Sequence, residues 1–389
     1  MLVAQEPVPS QQVLSAFGTD ILQKGLLSLR YRRQTHMLQQ LKPKEIFHPD
    51  RLGTAVVDRL TLPVTPDIIH LQWIAGFLTS HDVWKLWKKY QVPFVWTVMD
   101  MAPLTGGCHY SHDCRGFTAK CGRCPTLGSE NPDDISHRSW LSKNKWPKEV
   151  PITLVGATDW VEERVRASSL FAQHRFVKIP YGKDTNLFRT ASRPAIREAL
   201  HLPQDAQIIF FGMAHHNDPR KGMPYLVEAL EILHKTMAQA QPPVVLLTAG
   251  QADAEQLERL PFAYHQLGSI SDDRLLAMAY QAADVFVCPS VDDAGPLMMP
   301  ESLLCGTPVV AFEGCGGAAD LIRPGENGYL AEMRSSADLA RAIAQALAAA
   351  AAGEITPEHC RSLALRTSTL DAQAARYLDL YDDLLSTKK

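Results

Sequence analysis

No run of apolar residues in this chain approaches the roughly twenty needed to cross a bilayer as a helix. The opening stretch, MLVAQEPVPSQQV, lacks the basic and apolar regions of a secretory leader. A cytoplasmic location is therefore expected. A G-x-G-x-x-G run leading into a helix is also absent, which argues against a dinucleotide oxidoreductase. Charge of one sign is scarce as well: the net charge of -3 provides no basic excess, and no nucleic-acid partner is expected. Hydrophobic residues at 46% and charged ones at 21% are ordinary for a globular chain. At 389 residues the chain is longer than one compact core usually serves, so two domains are the default.

What is present is an alternation of short β-branched runs with helical patterns, the signature of βα units and a parallel sheet. Residues 67–73 (DIIHLQW) and 92–100 (VPFVWTVMD) read as buried strands around a short amphipathic helix at 82–90. Residues 152–156 and 176–180 continue the series. A polar, punctuated stretch follows, and a second series starts near Gln207. We divide the chain into an N-terminal Rossmann-like domain (1–185), a linker (186–206), a C-terminal Rossmann-like domain (207–368) and a last helix (369–389) whose apolar spacing suggests packing against the first domain. The expected fold is α/β, with two doubly wound domains facing across a cleft. Ligands of such sheets sit at the C-terminal ends of the strands. The first forty residues show neither a clear buried strand nor a glycine turn. They are basic instead, through Lys24, Arg30, Arg32, Arg33, Lys42 and Lys44.

The eight cysteines are unevenly spread. Cys108, Cys114, Cys121 and Cys124 fall in one loop, where the C-x2-C end has zinc-ligand spacing and His109 and His112 are alternative ligands. Three readings stay open: a structural zinc tying down the loop, disulfides, or free thiols. His70, on a strand, reads as a core histidine satisfied by hydrogen bonds. Asp100 and His109, at and beyond the end of a strand, stand where a group facing an acceptor would sit; capping of the loop accounts for them equally well. The basic N-terminus and the run WKLWKKY suit anionic lipid, or simply a solvated face.

Residues 289–312 (PSVDDAGPLMMPESLLCGTPVVAF) carry the strongest chemical signal. A strand ends, a turn presents Asp292, Asp293 and a glycine, and a helix follows with Glu301 in its first turns. Amides at such a helix start suit phosphate or sugar hydroxyls, and a carboxylate at Glu301 can accept bonds from two vicinal ribose hydroxyls. Alternatively, Glu301 simply complements the helix dipole. In DPRKG (218–222), Lys221 is a compact cation suited to phosphate, with Arg220 beside it.

These segments resemble the family 4 (group 1) glycosyltransferases, whose nucleotide-sugar signature sets two acids seven residues apart; here they are Asp293 and Glu301. The resemblance implies a GT-B fold and transfer of a sugar from a nucleotide diphosphate donor, with retention, and no obligatory metal. It makes Lys221, with Arg220, the pyrophosphate site, Glu301 the ribose ligand, and Asp293, Gly295 and Leu297 the groups meeting the transferred sugar. Pro296 has no N–H to give. Gly268 and Ile270 (GSI) match the base-binding loop, and GCGGAAD (314–320) the glycine turn near the donor. As catalytic residues we single out Asp293, Lys221 and Asp100.

The N-terminal motifs DIIHLQWIAGFLT, VWTVMDMAPLTGGCHYSHDC and CGRCPTLGS are similar to a bacterial subgroup of exopolysaccharide (colanic-acid-like) synthesis. That likeness implies a glycan or lipid-linked glycan acceptor at the inner face of a membrane. Two departures stand out. Met99 occupies the place where relatives carry a histidine, and a thioether neither donates a hydrogen bond nor carries charge. The chain also reads as though it began after the family's first strand and glycine-rich loop. Both departures raise a second reading, a weakly active sugar-nucleotide-binding relative serving as a partner subunit. A sugar-nucleotide epimerase of the same two-domain build matches the acidic pair and DPRKG less well.

Overall fold

A computed structural model describes residues 39–51, 64–145, 149–237, 242–251 and 257–387, with isolated residues at 2–4, 13–15, 32, 36–37, 57 and 62. Of the basic N-terminal residues, Lys24, Arg30 and Arg33 lie outside the described residues. The chain divides into two compact units. One holds Met1–Gly156, Val161–Lys178 and Tyr381–Lys389; the other holds Ala157–Trp160 and Ile179–Leu380.

In the first unit β1 (Leu2–Ala4) pairs in parallel with β2 (Val13–Ser15) as a separate ribbon. The main sheet is parallel and four-stranded, in chain order: β3 (Ile69–Leu71), β4 (Phe94–Thr97), β5 (Ile152–Gly156) and β6 (Arg175–Lys178). Every side chain of β4 and β5 is buried, as expected of strands covered on both faces. Helix α1 (Ser80–Tyr90) joins β3 to β4. Thr79 and Asp82 form its capping box, Lys88 and Lys89 complement its C-terminal end, and Val83 and Leu86 are buried. Between β4 and β5 lie the cysteine loop and α2 (Ile135–Lys145), and α3 (Asp159–Ala167) precedes β6.

The second unit is a six-stranded parallel sheet. Its strands in chain order are β7 (Gln207–His215), β8 (Val244–Gln251), β9 (Tyr264–Gln266), β10 (Val285–Cys288), β11 (Val309–Phe312) and β12 (Gly328–Ala331). In space they run β12-β11-β10-β7-β8-β9. Counted within the unit this is the 3-2-1-4-5-6 order of the Rossmann fold, and it reverses between β7 and β10. Helices α4 (Arg193–Ala199), α5 (Met223–Met237), α6 (Asp273–Ala282), α7 (Met298–Leu304), α8 (Ala318–Leu321), α9 (Ser336–Ala351) and α10 (Pro357–Leu365) complete it. Apolar residues of α5 and α9 (Leu226, Leu230, Leu339, Ile343) join the strands in one continuous core. The alanine-rich α9 is capped by Ser335 and packs closely on α5, since small side chains bring the helices near.

The stretch expected to be a linker is folded. Within it α4 buries Arg197, whose guanidinium meets Asp284 at 2.7 Å and donates to the carbonyls of Ala282 and Ala206. A polar sequence hides such a role because the partner lies 87 positions away. The last helix, α11 (Leu370–Ser386), ends among first-unit residues. There Tyr381 bonds Nδ1 of His70 at 2.6 Å and Asp383 pairs with Arg175. No helix among the described residues is long and apolar enough to cross a membrane.

Candidate functional site

The reversal point between β7 and β10 is where a sheet of this order leaves a crevice at its strand ends. Lys221 lies in the short 3-10 turn after β7 (Pro219–Lys221), and Asp293 in the loop after β10. The fold brings them together: Lys221 Nζ donates to Asp293 Oδ2 at 2.6 Å. Three backbone details hold this geometry. The Asp218 carboxylate accepts from the Arg220 amide at 3.0 Å and caps the turn. The Val291 amide donates to the Arg220 carbonyl at 2.7 Å, tying one loop to the other. Gly222, at φ +68°, passes so near Pro289 that a Cβ would lie 1.9 Å from its carbonyl oxygen, which leaves room only for glycine. Burial pulls the Lys221 pKa down, but the Asp293 carboxylate more than offsets it, and the ammonium ends above its ordinary value.

Glu301, at 6% exposure in α7, is held from two sides. Lys183 Nζ donates to one of its oxygens at 2.5 Å and the buried Tyr280 hydroxyl to the other at 3.0 Å. Each carboxylate oxygen keeps a further lone pair for a ligand hydroxyl. Burial raises the Glu301 pKa above the usual glutamate value, and the ammonium of Lys183 pulls against it. Sequence reasoning missed both partners. Nothing local in YGKD or in AYQAAD marks Lys183 or Tyr280 as ligands of one carboxylate.

The remaining expected donor groups are placed less directly. Arg220 is held by Asp218 at 2.6 Å. The Gly295 amide, expected to meet the sugar, donates instead to Asp293 Oδ1 at 3.1 Å. Gly316 allows that loop to close, since a Cβ there would sit 1.8 Å from the Asp293 carbonyl oxygen. Leu297 is 44% exposed at the start of α7. Gly268 accepts from the Gly250 amide at 2.7 Å in the loop after β9, and Ile270 packs its side chain against the core.

In the first unit Asp100, just beyond β4, belongs to a different arrangement. Its Oδ2 lies 2.7 Å from His109 Nδ1, and its Oδ1 accepts from the Ala102 amide. Nε2 of His109 in turn lies 2.7 Å from Nδ1 of His48, a residue the sequence did not single out. His70 is satisfied by Tyr381 and, at 2.7 Å, by Thr97, as a core histidine should be; burial pushes its pKa down to about 4. Met99 is 45% exposed.

The four cysteines of the loop lie near enough for their charges to act on one another. Cys108, Cys114, Cys121 and Cys124 are free thiols, and among the described residues no three His, Cys, Asp or Glu side chains are placed to hold a metal ion. The sulfurs find other partners: Cys121 accepts from the Gly106 amide at 3.2 Å and Cys114 from the Gly116 amide at 3.4 Å. Burial pushes the Cys108 thiol up to about 12 and Cys121 up to about 11.

Two parallel-sheet Rossmann-like units, one with paired charges at its strand-order reversal, define the fold class as GT-B α/β. Solved structures agree. The glycosyltransferase from Rickettsia africae superimposes with a TM-score of 0.62 at 15% identity, covering 96% of this chain and 84% of that one. Anabaena HepE in complex with UDP-glucose gives 0.60 at 18% identity, covering 98% of both. Residues 205–349 match the family described as "Glycosyl transferases group 1". Among curated relatives, a D-inositol 3-phosphate glycosyltransferase of Streptosporangium roseum is 28% identical over 75% of this chain and 64% of its own length. One from Streptomyces bingchenggensis is 32% identical over 71% of this chain and 58% of its own. The matched part thus spans less than two thirds of either relative.

Proposed function

We propose that the protein transfers a sugar from a nucleotide diphosphate donor to a hydroxyl of a glycan or lipid-linked acceptor, with retention at the anomeric carbon, at the cytoplasmic face of a membrane. The observation that carries this reading is the two ion pairs of the second unit, Lys221–Asp293 and Lys183–Glu301, in each of which a partly exposed lysine meets a buried carboxylate. A nucleotide diphosphate offers what each pair can exchange for. Its phosphates compete with Asp293 for Lys221, and its ribose diol supplies donors for Glu301. Asp293, released from Lys221, then orients the sugar. Catalysis of this kind is mostly positioning and neutralisation of the leaving diphosphate. Lys221 supplies that neutralisation without a metal ion.

The acceptor is the open part of the reading. The N-terminal motifs favour exopolysaccharide synthesis, whereas the relatives' names point to inositol phosphate. Lys88 of α1 lies over the rings of Trp84 and Trp87, at 5.4 and 4.6 Å from their centroids, which suits contact with an anionic lipid surface. Met99 favours a second reading, a donor-binding subunit with little turnover. The test is donor hydrolysis and transfer across a panel of nucleotide sugars. Turnover that Lys221→Ala and Glu301→Ala both abolish supports transfer. Donor binding without turnover in the unmodified protein supports the subunit role. If neither substitution alters donor binding, the site is misplaced.

A further inference from the structure

Lys183 follows β6 outside any helix, and backbone contacts from the far end of the second unit place it. Its amide donates to the Ser368 carbonyl at 3.1 Å, and it forms a parallel bridge with Thr369. The Gly182 amide before it donates to Gln373 Oε1 at 3.2 Å. Gly182 runs so close to the joint of α10 and α11 that a Cβ there would lie 2.5 Å from the Thr369 carbonyl oxygen. The main chain is thus fixed where the side chain can reach Glu301 on α7.

Glu301 has a separate support. Tyr280, fully buried, donates to Oε2 at 3.0 Å, and its ring is wedged edge-on against Phe210 and Phe286, with centroids 5.2 Å from each. The carboxylate is therefore oriented without Lys183. An ion pair at such a place returns little net stability, because stripping water from both charges offsets their attraction. Stability alone is a poor reason for a lysine here.

Its hydrogen-bonding capacity is the better one. An ammonium carries three N–H groups. Among the described residues that of Lys183 bonds to Glu301 alone, at 2.5 Å, and its side chain keeps 14% of its surface open. A ligand atom reaching this point meets a strong acceptor and a strong donor side by side. A hydroxyl satisfies both, giving its proton to Glu301 and a lone pair to Lys183. A phosphate or carboxylate meets the charge of Glu301, and a C–H offers neither group anything.

We propose that Lys183 is a specificity-determining residue of the donor site, donating to the oxygen of a ribose hydroxyl whose own proton goes to Glu301, so that the site selects ribonucleotides over deoxyribonucleotides. The proposal rests on the reading that the second unit takes a nucleotide diphosphate. A site built to hydrogen-bond a hydroxyl discriminates against the analogue lacking it. Here the ion pair closes on itself when the hydroxyl is missing, so the discrimination is at the low end for a charged hydrogen bond, about tenfold.

The test is calorimetry on the full chain with UDP, ADP and GDP, and with the 2′-deoxy and 3′-deoxy forms of whichever binds. At least one deoxy form should bind about tenfold more weakly. Lys183→Arg, which keeps the charge and the donors, should preserve that ratio, and Lys183→Met should shrink it by roughly threefold or more. Because Lys183→Met strands the Glu301 charge, a second comparison covers its failure to fold. Glu301→Gln is set against the double variant Lys183→Met with Glu301→Gln, and the ratio should again be smaller where Lys183 is gone. A merely structural lysine moves ribose and deoxyribose affinities together and leaves their ratio unchanged. That result, or deoxy forms bound as well as their parents, overturns the proposal. Nucleotide binding that needs Lys221 yet ignores the ribose hydroxyls rejects Lys183 alone, whereas no nucleotide binding at all rejects the donor reading and this proposal with it.

Discussion

Lys221 pairs with Asp293 and Glu301 with Lys183, at 2.6 and 2.5 Å. A ligand must therefore displace or share a pair rather than meet a bare ion, and the substitutions should differ in kind. Lys221→Ala should weaken nucleotide diphosphate binding by about 10- to 100-fold, the loss of one charged hydrogen bond of about 1.5–3 kcal/mol, measured by calorimetry. Lys183→Met should chiefly destabilise the fold. It strands Glu301, whose side chain is 8% exposed, as an unpaired buried charge at a cost of about 3 kcal/mol, read as a lower denaturation midpoint. The pH dependence has two opposite signs. Burial raises the Glu301 pKa, so its contribution to stability is present below the unfolded value and lost as pH rises through the folded one. Ribose binding needs the carboxylate, so nucleotide affinity should fall on acidification, beginning above the ordinary glutamate value of 4.5. Affinity that stays flat through that range would remove Glu301 from the site.

Among the elements, the turn between β7 and α5 is the most exacting. Gly222 sits at φ +68° against the Pro289 carbonyl, so Gly222→Ala must shift the turn that carries Lys221. We expect nucleotide affinity to drop at least tenfold while circular dichroism stays close to that of the parent protein. The cysteine loop gives a second check at this scale. Cys121 and Cys114 each accept a backbone hydrogen bond, and among the described residues no three side chains are set to hold a metal ion. Protein purified without chelator should therefore carry well under one zinc per chain, and elemental analysis decides it. The C-x2-C spacing was legible in the sequence; where the four sulfurs point was not. That depends on the Gly106 and Gly116 amides, which no spacing rule reads.

For the whole molecule, a ligand that binds only the folded state raises its stability by mass action, about 2.7 kcal/mol at a hundred times the dissociation constant. If Lys221 takes the cation's role as proposed, nucleotide diphosphate should raise the melting temperature by several degrees, and by the same amount with or without chelator. A shift that chelator abolishes would assign that role to a metal ion instead.

Much of the architecture was legible because it rests on local signals. Buried β-branched runs followed by helices spell a parallel sheet, and the four- and six-stranded sheets are both parallel. DPRKG and the Asp293–Glu301 spacing mark the ends of β7 and β10 because turns and helix starts are written in adjacent residues. The tertiary structure alone decided the pairings. Lys183 meets Glu301 across 118 positions, Arg197 meets Asp284 across 87, and His48 meets His109 across 61. The physical reason is common to all three. A charge or an imidazole records in its own neighbourhood only that it is polar. Which partner satisfies it depends on strand order and on the crossovers that bring distant loops to one sheet edge. The sequence by itself determined where chemistry could sit, and the fold decided which groups share it.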